Sequence, residues 1–149
     1  MGLHYRTTQT RTLIGSKDGS TRTPIELEST YQAESTTEAT KSFKIAGFSK
    51  LNLDILYTMG ATETANTIEI KIDQSPDNQN WYQLVNDSTS NGTSTLTLRE
   101  FTIVGADAST LELSLPLDIS DQYLRVSIKE TGVGANKGSA YVEGTLLGQ

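Results

Sequence analysis

Apolar and polar residues alternate along most of the chain, the two-residue period of strands with one face in a core and one in water. Ile25 and Leu27 alternate with Glu26 and Glu28, and Phe43 and Ile45 with Ser42 and Lys44. The clearest run comes next. Leu51, Leu53, Ile55 and Tyr57 share one parity, with Asn52, Asp54 and Thr58 on the other and Leu56 interrupting the polar face. Ile68, Ile70 and Ile72 then alternate with Glu69, Lys71 and Asp73. Trp81, Tyr82, Leu84 and Val85 begin a return strand, and Leu96 and Leu98 continue the alternation. Phe101 and Ile103 change parity across Arg99–Glu100, which predicts a bulge or a bend between sheets. Three further runs are centred on Leu111–Leu115, Leu124–Ile128 and Ala140–Leu146. Pro116 limits the first of these to an edge or to the strand's end, because it has no N–H to give to a ladder.

Turn residues punctuate these runs. Ser75-Pro76-Asp77-Asn78-Gln79-Asn80 reads as a turn, Gly60 to Asn66 as a polar hairpin loop, and Asp87 to Thr93 as a loop closed by Asn91-Gly92. Thr131 to Gly138 reads as a flexible, glycine-rich hairpin loop. The pattern predicts eight or nine short strands and no amphipathic helix, hence an all-β protein: an antiparallel β-sandwich or jelly roll. Residues 24–149 are expected to form this single domain. Residues 1–23 lack apolar periodicity and are expected to form an extended, Thr-rich basic arm.

Composition agrees with strands. Of 149 residues, 22 are Thr and 15 are Ser, about a quarter of the chain, whereas hydrophobic residues make up only 35%. Thr suits a pleated surface and Ser is a mediocre helix former. The net charge of -6 is unevenly spread: Arg6, Arg11, Lys17 and Arg22 against Asp18 give residues 1–23 a charge of +3, leaving -9 for the remainder. An acidic body repels phosphate backbones, so nucleic acid is not an expected partner. The arm's four cations are the expected partner-binding residues, able to dock on the acidic surface of a neighbouring copy. The sequence has no 18-residue apolar run for a transmembrane helix, and Met1–Arg6 lacks the apolar stretch of a secretory signal. Membrane association is therefore not expected.

Candidate chemistry is sparse. With zero Cys there is neither a disulfide framework nor a thiolate metal site. His4, the only histidine, stands in the arm, where a catalytic imidazole would lack the third group that orients it. The strand carboxylates Glu26, Glu28, Glu69 and Glu112 fall on the solvent parity, where acids keep ordinary pKa values unsuited to general-acid work. Asp73, Asp77 and Asn80, or Asp118 and Asp121, offer calcium-type oxygens, but Asx residues make turns more often than ion sites. No catalytic residue, cofactor, metal or small-molecule substrate is expected. Trp81 and Tyr82 carry two readings. Exposed, they would stack on sugar rings as in a glycan-binding module; buried, Trp81 would plug the core beneath the turn. The position of Trp81 beside the apolar parity favours the plug.

The stretch Leu51-Asn52-Leu53-Asp54-Ile55-Leu56-Tyr57, then Ile68-Glu69-Ile70-Lys71-Ile72-Asp73, leads into the S-x-D-x-x-x-W hairpin from Ser75 to Trp81. It resembles small β-sandwich virion proteins of tailed bacteriophages. The Gln122–Ile128 segment and the Gly-rich final hairpin are similar to their C-terminal halves, so the resemblance covers about two thirds of the chain as a pattern. It implies a capsid decoration (cement) protein, assembled into the virion in the host bacterial cytoplasm. Its partners would be the major capsid protein and neighbouring copies of itself, in an oligomer for which a trimer is the guess. A tail or head–tail junction protein is the nearest alternative, and a glycan-binding sandwich the next.

Overall fold

The computed structural model describes residues 8–32, 42–84, 86–90, 93–97, 99–104 and 109–148, with backbone alone for 86–90, 93–97 and 99–101. Arg6, Val85, Leu98 and Asn91-Gly92 lie outside the described residues. Among the described residues, strands are the only extended regular elements: β1 (Thr8–Ile14), β2 (Ser16–Asp18), β3 (Thr21–Thr23), β4 (Ile25–Glu26), β5 (Phe43–Lys44), β6 (Phe48–Thr58) and β7 (Ala65–Ser75). They continue with β8 (Tyr82–Gln83), β9 (Asn86–Ser90), β10 (Thr93–Thr97), β11 (Arg99–Val104), β12 (Thr110–Asp118), β13 (Tyr123–Thr131) and β14 (Ser139–Gly148). Two five-stranded antiparallel sheets pack as a β-sandwich. Sheet one runs β1-β14-β6-β12 with β4 beside β14, and sheet two runs β11-β7-β13-β5 with β8 beside β7.

Alternation decides the core. In sheet one, Leu51, Leu53, Ile55 and Tyr57 of β6 stand in register with Leu117, Leu115, Leu113 and Leu111 of β12, and with Leu146, Gly144, Val142 and Ala140 of β14. Opposite them, Ile68, Ile70 and Ile72 of β7 and Leu124, Val126 and Ile128 of β13 are buried. Each fully buried side chain of this kind contributes about 1.5–3 kcal/mol of burial free energy. Residues 59–64 are not a hairpin loop as the sequence pattern predicts. They carry the chain from sheet one to sheet two, and β6 and β7 do not pair. The parity change near Arg99 has the same origin: β10 belongs to a separate two-stranded ribbon with β9, whereas β11 joins β7.

Pro116 sits where its chemistry requires. The Met59 amide donates to the Ser109 carbonyl and the Ile119 amide to the Ser49 carbonyl, so odd-numbered residues of β12 bond to β6. Even-numbered residues, Pro116 among them, turn their backbone groups toward the free edge. Pro116 removes a donor there, and exposed Glu112 and Asp118 add charge, the devices that keep an edge from recruiting another strand. Pro116→Thr is expected to restore the edge donor and raise concentration-dependent association, read by light scattering at high salt. An unchanged scattering profile would remove this role.

The N-terminal segment corrects the expected domain boundary. Thr8–Thr12 pair with Glu143–Leu147, a bulge follows, and Leu13 and Ile14 enter the core. Residues 8–14 are thus an edge strand of the sandwich and not part of an extended arm. Two adjacent apolar residues after a Thr-rich run are too few to define a period. Gly15, at φ 88°, then turns the chain so tightly that a Cβ would stand 2.5 Å from the Thr23 carbonyl oxygen. This turn launches the β2–β3 hairpin.

Candidate functional site

The sandwich has a polar centre that its amphipathic pattern did not announce. Along β13 the core parity runs Leu124, Val126, Ile128 and then Glu130, which is 1% exposed. Its Oε1 accepts hydrogen bonds from the Tyr57 hydroxyl and from Asn66 Nδ2, the latter at 3.0 Å. Its Oε2 accepts from the Gly138 amide at 2.8 Å. Burial, and then the Glu130 carboxylate beside it, push the Tyr57 phenol well above its usual pKa. One carboxylate therefore ties β6, β7, β13 and the start of β14 together. The signal was present in the sequence as a charge on an apolar parity.

A second carboxylate organises the loop before β14. Glu63 Oε1 accepts from the amides of Ala135 and Asn136 at 2.8 and 2.9 Å, and Oε2 from the Gly134 amide at 2.8 Å. Successive amides that converge in this way form an anion nest. Hydrogen bonds from Asn136, Ala135 and Gly134 hold the Glu63 carboxyl down at about 2. The loop expected to be flexible is thus clamped. Because the folded value lies below the unfolded one, this contribution is complete above pH about 4.5 and is lost as pH falls toward 2. Glu63→Gln is expected to flatten the wild-type loss of stability across that window and to speed amide exchange at residues 134–136. Unchanged exchange there would contradict the clamp.

Asp77 does for the Ser75–Asn80 turn what Glu63 does for the glycine loop. It accepts from the Asn80 and Gln79 amides, from Asn80 Nδ2 and from Ser75 Oγ, and these bonds hold it well below the usual carboxylate range. Asn78 sits at φ 61° within that turn, a conformation Asn tolerates. Asp73 is paired with Arg125 at 2.9 Å and Asp118 with Lys50 at 3.0 Å. The carboxylates of Asp73, Asp77 and Asp118 are thus engaged with protein donors, and among the described residues no cluster of three or more His, Cys, Asp or Glu is arranged to hold a metal ion.

Trp81 is not the core plug. Strand register places Gln83 opposite Asp73 and Tyr82 opposite Gln74, so Trp81 and Tyr82 point to opposite sides of sheet two. The half-buried Trp81 ring lies under the Arg125 guanidinium, 4.3 Å from its centroid, on the outer face. Tyr82 is 63% exposed. The two aromatics do not make one sugar platform. On the same outer face Lys71 and Lys129 flank the Tyr31 ring, whose hydroxyl donates to Glu69. A hydrogen bond from Lys129, at 2.9 Å, lowers the pKa of Glu69.

The outer face of sheet one receives the predicted partner-binding cations instead of sending them outward. Lys17 lies 3.4 Å and Arg22 4.0 Å from Glu143, and the Arg22 guanidinium covers the Tyr141 ring. Arg11 turns inward at the sheet edge, over Phe43. Arg11, Lys17 and Arg22 all engage their own chain. The β2–β3 hairpin that bears two of them walls a groove of about 340 Å³ lined by Arg22, Asp54, Leu56, Glu112, Ser114 and Tyr141. Leu56, which interrupted the polar parity, lies on its floor. No protein-family model matches the chain, and no curated protein matches it either.

Proposed function

We propose that this protein is a non-enzymatic structural component of a virion, a decoration protein that binds the outer shell in many copies. What carries the reading is the use made of its best-coordinated carboxylates. Glu63, Asp77 and Glu130 each accept three or more hydrogen bonds from their own chain. They stiffen loops and join sheets, the work of a scaffold. The hairpin resemblance supplies the virion context. Because Arg11, Lys17 and Arg22 are engaged within the chain, shell attachment is not assigned to these three cations. Many weak contacts on a repeating lattice then add up to tight binding.

Adding purified protein to shells stripped of it is expected to restore occupancy and raise their thermal or mechanical stability. Equal stability with and without it would overturn the cementing role. Copy number per particle separates sites on the shell, in the hundreds, from a tail or head–tail junction with about six or twelve by cyclic symmetry.

A further inference from the structure

The two broad faces of the sandwich carry opposite charge. On the outer face of sheet two, β13 and β5 present Arg125, Lys129 and Lys44, while β7 presents Lys71 with Glu69 and Asp73, by the parity opposite to the buried Leu124, Val126, Ile128 and Phe43. Among the described side chains that is four cations against two carboxylates. On the outer face of sheet one, β6, β12 and β14 present Asp54, Glu112, Asp118 and Glu143 against Lys50. The β2–β3 hairpin places Lys17 and Arg22 on Glu143 only, which leaves exposed Asp54 and Glu112 across the groove. Aromatic surface accompanies the basic face, at Tyr31 and Trp81, and apolar Leu56 lies in the acidic one.

We infer that the occupant of each face is a second copy of this chain, with the basic face of sheet two on one molecule seated on the acidic face of sheet one on the next. Charge complementarity selects this arrangement. A two-fold dimer through either face would set like charges opposite each other, whereas a head-to-tail contact sets unlike charges together. The area is adequate. A face four strands wide and nine residues long spans roughly 30 by 19 Å, about 570 Å² per partner. The total is near the lower end for specific complexes. Both faces lie on opposite sides of one sandwich, so the contact propagates and closes into a ring or extends as a stack. The edges stay out of it, since Pro116 guards β12. This inference stands independently of the virion reading: it concerns association of the isolated protein, and shell rebinding tests the other.

The test is sedimentation velocity over a concentration series at low and high salt, with two double variants. Asp54→Lys/Glu112→Lys alters only the acidic face, and Lys44→Glu/Lys71→Glu only the basic one. Wild type is expected to associate at low salt and disperse at high salt as the charges are screened. Each variant alone is expected to associate at least ~10-fold more weakly. An equimolar mixture of the two is expected to recover association, because one intact face of each kind remains and the two reversed faces are again opposite in charge. A wild-type protein that stays monomeric throughout, a variant that associates as wild type does, or a mixture that does not recover association would each overturn the proposal. Thermal melts of both variants confirm that they fold.

Discussion

Glu130→Ala is expected to lower folding stability by about 3–5 kcal/mol, a large share of the 5–15 kcal/mol that keeps an ordinary domain folded. The substitution strands three buried donors: the Tyr57 hydroxyl, Asn66 Nδ2 and the Gly138 amide. Each unsatisfied group costs about 1–3 kcal/mol, and partial entry of water keeps the total below the sum. For a chain of this size the melting temperature should fall by roughly 10 °C. Denaturant titration reads the effect directly, with exposed Glu112→Ala as a control expected within about 0.5 kcal/mol. A loss below about 1 kcal/mol would mean that the polar centre is not what joins the sheets. The same site gives an alkaline signature. Burial holds the Tyr57 phenol neutral, so its folded pKa lies above the unfolded value of 10.0. Stability is therefore intact below pH 10 and declines as pH rises beyond it. Tyr57→Phe should abolish that part of the decline.

Gly60→Ala is the second large effect, about 3 kcal/mol or more. A Cβ at residue 60 would stand 2.1 Å from the Asn136 carbonyl oxygen and 2.6 Å from its carbon. Backbone cannot rotate away as a side chain can, so the 59–64 crossover and the 132–138 loop must separate. That movement would also pull Glu63 from its nest, coupling the two losses. Gly19→Ala is the contrast. It meets no atom within 4 Å and bears only the strain of φ 58°, about 1–2 kcal/mol. A Gly60→Ala protein as stable as the Gly19→Ala one would show that the two loops are not packed as described.

How far the sequence was legible can be seen element by element. Runs such as Leu51–Tyr57 and Ile68–Ile72 named their own buried faces, because burial on a pleated sheet follows parity and parity is local. Pro116 named its edge for a reason equally local, the absence of an N–H. The N-terminal strand was hidden because Leu13 and Ile14 form too short a run, and because pairing with β14 is a contact across more than a hundred residues. Trp81 departs from its sequence expectation for a related reason: its nearness to an apolar parity suggests the core, while a partner from β13, Arg125, holds its ring on the outer face.

By itself the sequence determined the strands, their inward faces, the antiparallel class and the acidic body, since each depends on residues adjacent in the chain. Only the tertiary structure decided which strands share a sheet, where Glu63 and Glu130 find their donors and which charges gather on which broad face. Those outcomes join residues far apart in the chain, and alternation alone specifies which way a side chain points without specifying what it will meet.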